Sequence, residues 1–362
     1  MPSVKKPGKT FFEQQWLGNL SEYVTAIAWS ADDLLAASSA AGQVILWQDG
    51  NLISLLPEGL ESIDCLAFSA DGRFLAAGGQ DGKVEVWSMN PSLLKGIRVG
   101  ALDLIATLDN APSWIDKLAW SPIGNYLAFS VGRYVQIWSA DTQAVVTTLP
   151  FEDSSVLDLA WRPSGEEIAI AGNGGVKVWS AKDWDSDPYL IDMPTASIFI
   201  TWSGDGKYIA SGNLDKTITV LEYGIPHPWV IRGFPGKVVN LAWSSKESSN
   251  VPWLTASSME VVAVWEKQAE DEDGWNPRIL TFHDRKVQAL KFHPHNLLLA
   301  SAGDDGHLCL WTKAKQIGQV LEGAKGGFSC LAWSQNGKQL AAGGQNGELI
   351  IWSESGRGKG FG

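Results

Sequence analysis

The sequence predicts an all-β chain folded as a closed eight-bladed β-propeller, on three observations. First, an aromatic residue recurs at Trp29, Phe68, Trp120, Trp161, Trp202, Trp243, Phe292 and Trp333, at spacings of 39, 52, 41, 41, 41, 49 and 41 residues. The period is therefore 41 residues, with insertions. Second, each unit carries short apolar runs of period two separated by turn residues, which is the patterning of strands. Third, the last unit lacks a final strand that the start of the chain can supply. A repeat of about 40 residues with four short strands is the pattern of propeller blades.

The seventh unit displays the elements most plainly. Val287–Phe292 is its first strand, Leu297–Ser301 its second and His307–Trp311 its third, with Gly303-Asp304-Asp305-Gly306 as a tight turn before the third strand. The third strand recurs as Val44–Trp47, Val84–Trp87, Val135–Trp138 and Val176–Trp179, and the fifth unit ends it in Leu221 instead of Trp. Outer strands are expected at Leu52–Leu56, Leu104–Leu108, Val145–Leu149, Arg278–Phe282 and Gln319–Leu321. The last unit stops at Trp352, ahead of a Gly-rich tail. Phe11–Leu17 reads as the strand that completes it, joining the two ends of the chain and protecting an open edge. The expected organisation is a tail over 1–10, one propeller over 11–353 and a second tail over 354–362.

These residues resemble the WD-repeat (WD40) propeller family over about residues 11–353. In that family a His before the first strand, a Ser or Thr in the second, an Asp in the hairpin and the Trp of the third strand form a hydrogen-bonded chain. The resemblance places it at His283, Ser301, Asp305 and Trp311. Elsewhere the pattern decays. The hairpin Asp survives at Asp81 and Asp215, while the His position holds Gly59, Met193 or Ala324. The family's Asp after the closing Trp is replaced by Ser88, Ser139, Ser180 and Ser353. Such decay resembles a divergent, stand-alone member of prokaryotic, cyanobacterial-like type.

Composition narrows the function. Of 19 Trp residues, six open units and seven close them, so most of the indole surface belongs to the framework. The formal net charge of −12 gives no basic footprint for nucleic acid, and the basic pieces Lys5-Lys6 and Arg357–Lys359 read as solubilising tails. No apolar run follows the lysines of Met1–Thr10, and no segment approaches a membrane span. Cys65, Cys309 and Cys330 all fall in strands, as buried thiols of a reducing compartment would. A soluble, cytoplasmic protein, monomeric by itself, is expected.

No catalytic constellation is legible, and the chain is expected not to be an enzyme and to carry no cofactor. The pair His293-Pro294-His295 lacks a third ligand nearby in sequence and reads as solvated loop residues. Adjacent cysteines, a Gly-x-Gly-x-x-Gly unit and a phosphate loop are absent from the sequence.

Surface remains, and it points to protein or peptide partners. On the face formed by loops entering the first strands, acidic Asp64 and Asp116 lie on units 2 and 3, opposite Lys237 and Lys286 on units 6 and 7. Tyr23 occupies the same position in unit 1, and Trp114, outside the repeat set, is a binding anchor on unit 3. Insertions gather on the other face at Ser88–Asp103, Ala181–Pro188, Ser244–Pro252 and Glu266–Pro277, with Trp184 and Trp275 set among carboxylates. The sequence thus reads as a non-catalytic interaction scaffold. The alternative is a small-ligand or metal-handling accessory protein. It would use a channel mouth bearing Asp64, Asp116, Asp158 and Lys286, or the histidines of unit 7.

Overall fold

A computed structural model describes residues 10–89, 102–193, 195–245, 252–268 and 274–356. Most of both expected tails, with Lys5, Lys6, Lys9 and 357–359, lies outside the described residues, as do the central parts of three insertions, 90–101, 246–251 and 269–273.

Among the described residues thirty-two strands form eight four-stranded antiparallel sheets. Seven of these blades are consecutive in sequence, from Val24–Leu56 of blade 1 to Val287–Glu322 of blade 7. Blade 8 takes Phe328–Trp333, Gln339–Gly344 and Glu348–Glu354, and is completed by Phe12–Asn19 paired antiparallel to its third strand. Each innermost strand touches the next all the way round, and that of blade 8 touches that of blade 1, closing the ring.

Closure has specific chemistry. The Gln319 side chain on blade 7 accepts the N–H groups of Phe11 and Phe12 at 2.8 and 2.9 Å and donates to the Phe12 carbonyl at 2.7 Å. Phe12 then packs edge-on to Trp333 at 5.3 Å, so the N-terminal strand is fixed both to blade 8 and to its neighbour.

The core lies between blades. Eight apolar clusters occur, one for each seam. Central strands such as Leu35–Ser39 and Phe74–Gly79 are buried throughout because both faces meet neighbours, whereas the outer strand Asn51–Leu56 is half exposed. The aromatic that opens each unit is the seam residue. Trp29, Trp120, Trp161, Trp202, Trp243 and Trp333 each donate the indole N–H to a first-strand carbonyl of the preceding blade, at 3.0–3.2 Å. Each such bond contributes about 1 kcal/mol net, beyond the larger effect of burying the indole. Phe68 and Phe292 have no N–H to give, so the seams before blades 2 and 7 hold by packing and other bonds. Thr25 Oγ1 donates to the Ile63 carbonyl at 2.5 Å and the Asn240 amide to the Val287 carbonyl at 3.3 Å.

Two expected strands shift. The second strand of blade 7 is Leu299–Gly303, because Asn296 Oδ1 accepts the Leu298 N–H at 2.8 Å and holds the preceding residues in a turn. The outer strand of blade 6 is Trp275–Leu280, and Phe282 leaves it to pack edge-on against His283 at 5.3 Å. The three cysteines are unpaired; burial pushes the Cys65 and Cys309 thiols up strongly and that of Cys330 to about 11.

Candidate functional site

In blade 7 the hairpin before the third strand turns back on the loop that enters the first. His283 Nδ1 lies 2.8 Å from Asp305 Oδ2, His283 Nε2 lies 2.7 Å from Ser301 Oγ, and Trp311 Nε1 donates to that Oγ at 2.8 Å. One proton arrangement satisfies every group. Trp311 donates to Ser301, Ser301 donates to Nε2 of neutral His283, and Nδ1–H donates to the Asp305 carboxylate. Burial raises the Asp305 pKa, but the hydrogen bonds from His283 and from the N–H groups of His307 and Asp284 outweigh it and hold the carboxyl below its ordinary value. A Cβ on Gly303 would lie 2.8 Å from both Asp305 and His283, so the absence of a side chain there is what lets them meet.

Other blades lack this chain. In blade 1 the position of Ser301 is taken by Ala37, and the buried Trp47 Nε1 has no hydrogen-bond partner; the Trp138 Nε1 is likewise unsatisfied. Blade 5 holds a different network that sequence reasoning missed. Ser211 Oγ contacts Ser197 Oγ and donates to Asn213 Oδ1 at 2.8 Å. Asn213 Nδ2 then bonds Thr217 and Thr219 at 3.0 and 2.9 Å, and Thr217 donates to Asp215 at 2.7 Å. Its signal was the alternation Ser211, Asn213, Asp215, Thr217, Thr219, all polar in a stretch otherwise patterned as core.

On the face where chains enter the first strands, Trp114 is 56% exposed and forms part of a cleft of about 270 Å³ with Pro112, Asp116, Ser130, Ser155 and Val156. The structure thus brings Trp114 and Asp116 together at the seam of blades 3 and 4. Partial removal from water, then the Asp64 carboxylate of blade 2, push the Asp116 pKa up, while Lys117 pulls it down. Ser62 Oγ donates to Asp64 Oδ1 at 2.5 Å. Deeper in, Lys117 Nζ lies 3.7 Å from Asp158 Oδ1, whose Oδ2 accepts the Ile200 N–H at 2.8 Å. Burial raises the Asp158 pKa, and these two partners oppose it.

Opposite this sector, Lys237 is exposed and Lys286 half-buried, but that side is not uniformly basic. The Asp304 N–H bonds the Lys286 carbonyl at 2.9 Å, and the Asp304 carboxylate is held by the amides of Gln288 and Gln345 at 2.9 and 2.5 Å. Tyr23 is 38% exposed; burial raises its phenol pKa, with Cys330 and Asp304 adding to the shift.

The second surface requires correction. Trp184 is half-buried and packs edge-on against the seam residue Trp161 at 6.2 Å, and Ser186 closes its loop by donating to the Asp183 carbonyl at 2.7 Å. Trp275 lies in an outer strand rather than a loop, with its ring 5.6 Å from both Tyr208 and Trp243 and 6.2 Å from Trp229. Both cover the ends of seams and so belong to the framework. Of the two histidines expected to be solvated loop residues, His295 is exposed and His293 is not. His293 is buried, its Nδ1 accepting the His295 N–H at 3.0 Å and its Nε2 facing the Gly337 carbonyl at 3.1 Å. His295 Nε2 faces the Gln335 carbonyl at 2.8 Å. Among the described residues no group of three His, Cys, Asp or Glu is arranged to hold a metal ion.

Comparison with known proteins agrees with the ring. Five stretches, 51–88, 143–180, 195–220, 274–312 and 315–353, match the WD domain, G-beta repeat family. With eight four-stranded blades closed by the N-terminal strand, the chain belongs to the WD-repeat β-propeller family. That family is in general one of non-catalytic scaffolds. The chain is similar to Telomerase protein component 1 of Rattus norvegicus, 23% identical over 88% of this chain and 12% of that protein. It is also similar to Protein HIRA of Dictyostelium discoideum, 27% identical over 44% of this chain and 12% of that protein. Protein tipD of Dictyostelium discoideum is 20% identical over 80% of this chain and 47% of that protein. The chain thus spans less than half the length of these relatives.

Proposed function

We propose that the chain is a protein-interaction adaptor whose working surface is the face bearing Trp114. The single observation that carries this reading is the exposure of that indole, 56%, beside a cleft, in a chain whose opening and closing tryptophans are buried in seams. A large rigid aromatic on such a lip loses little entropy on binding and is the commonest kind of interface hot spot. Asp64 and Asp116 beside it favour a partner segment that offers a cation next to an apolar side chain. The ring fixes the loops, so the chain acts by presenting geometry and by leaving chemistry to its partners.

Capture from native lysate compares the unaltered chain with a Trp114→Ala/Lys286→Glu variant of equal thermal stability. Loss of a specific set of proteins from the variant supports the adaptor. Identical capture by both chains rules this face out.

A further inference from the structure

Two positions of the repeat pack together in several blades. One lies five residues before the buried residue that anchors the first strand, the other two residues before the residue that closes the third. Blade 4 fills them with Phe151 and Lys177, whose ammonium lies 5.0 Å from the centre of the phenyl ring. In blade 7 they are Phe282 and Cys309, in one apolar cluster. In blade 8 they are Gly323 and Ile350, and a Cβ on the glycine would run into the Ile350 side chain. Blade 6 alone has two small residues there, Gly233 and Ala263, and a Cβ on Gly233 would meet nothing within 4 Å. Both line a groove of about 630 Å³ that opens at the rim of the ring between blades 5 and 6. Its walls are Trp229, Ile231 and Phe234 on the side of blade 5, all half-buried, and Pro277 and Ile279 on that of blade 6, both exposed. Ala263 pairs with Ile279 in register, four residues from the Lys267–Trp275 end of the same strand pair.

We propose that this groove takes an aromatic side chain of a partner peptide, flanked by carboxylates that pair with Arg232. The repeat itself points to the side chain, since two other blades place a phenyl ring at the position of Gly233. Blade 7 shows how such a ring sits: Phe282 is edge-on to His283 at 5.3 Å and to Trp311 at 6.4 Å. The corresponding residues of blade 6 are Phe234 and Trp265, whose rings lie 5.7 Å apart, so the surroundings of the missing ring are again aromatic. Arg232 is exposed, is the one charged residue on the groove, and makes no hydrogen bond or ion pair among the described residues. A free guanidinium beside apolar walls draws in a carboxylate next to the aromatic and repels a lysine there. The groove is larger than one ring and opens along the rim, which suits a side chain carried by a peptide. This contact lies on the side of the ring and is independent of the Trp114 cleft.

The test follows the indole N–H resonances of the full chain while it is titrated with acetyl-Gly-Glu-Phe-Glu-Gly-amide, and with versions in which Ala replaces Phe or Lys replaces both Glu. The Phe peptide moves the Trp229 and Trp275 resonances saturably and leaves that of Trp114 in place. The Ala and Lys versions bind about tenfold more weakly or worse, as expected on losing the ring or the charge-assisted contact. Arg232→Glu weakens the Phe peptide by a similar factor, and Arg285→Glu, the same change of charge away from the groove, leaves it unaltered. Ala263→Ile installs the residue that blade 8 sets beside its own glycine, and it abolishes binding while the melting temperature is kept. The proposal is overturned by unmoved Trp229 and Trp275 resonances, by equal binding of the Ala or Lys version, or by undiminished binding to a folded Arg232→Glu or Ala263→Ile chain. Should Ala263→Ile not fold, the surface change Arg232→Glu decides.

Discussion

Blades 7 and 5 begin from the same two side chains and part company at the two residues that would complete the network. Both place a Ser in the second strand, Ser301 and Ser211, and an Asp in the hairpin, Asp305 and Asp215. Blade 7 ends its third strand in Trp311 and enters through His283, so an indole N–H and an imidazole complete the chain of bonds. Blade 5 ends in Leu221 and enters through Met193, and the same buried Ser turns to Asn213, Thr217 and Thr219. What is held constant is satisfaction of buried polar groups, and the particular residues are free to change.

The largest disturbance should come from His283→Leu. It leaves the Asp305 carboxylate, nearly inaccessible to solvent, without its main partner, and should cost about 3 kcal/mol in equilibrium urea unfolding. Its pH dependence has a definite sign. The folded pKa of Asp305 is depressed, so its stabilisation is fully present above the ordinary value of 3.8 and is lost as pH falls through the lower folded value. An Asp305→Asn chain should therefore show a flatter acid limb below pH 3.8 than the unaltered chain. Next comes Asn213→Leu, which removes the Asn213 bonds to Ser211, Thr217 and Thr219, leaves Thr219 without its side-chain partner, and should cost about 2 kcal/mol. An equal cost in the two blades would remove the distinction between a network that ends on a nearly inaccessible carboxylate, Asp305, and one that ends on an exposed one, Asp215.

Trp120→Phe turns one seam into the kind found before blades 2 and 7. Loss of the 3.0 Å bond to the Ala67 carbonyl should lower stability by about 1 kcal/mol, read from the same unfolding curves. The smallest effect runs the other way. Lys216 occupies the hairpin position held by Gly306 in blade 7, at φ 66° against 78°. In that left-handed region a side chain is strained, so Lys216→Gly should stabilise by about 0.5 kcal/mol.

The period of the aromatics, the count of blades and the closing N-terminal strand were legible in the sequence because seam packing repeats the same side chains at the same spacing. The blade 7 residues were legible through a family resemblance. The blade 5 network was not, since none of its members is rare and the pairings form only when two strands lie side by side. Trp184 and Trp275 were legible as departures from the repeat but not in their packing. Neighbouring carboxylates made them look like loop residues, whereas one covers Trp161 and the other sits among Tyr208, Trp229 and Trp243. The two small residues of blade 6, Gly233 and Ala263, were written in the repeats, but only the folded ring shows that they border one groove.

Residues that follow the repeat hold the ring, and the proposed adaptor role assigns partner binding to Trp114, which departs from the repeat on an exposed surface. The most direct measurement of that division is partner capture by a Trp114→Ser chain alongside its urea midpoint, Ser being the residue at the matching place in blades 2 and 4. An unchanged midpoint with loss of the proteins bound by the unaltered chain is the predicted result. A midpoint lowered as far as that of His283→Leu, or full retention of those proteins, would contradict it.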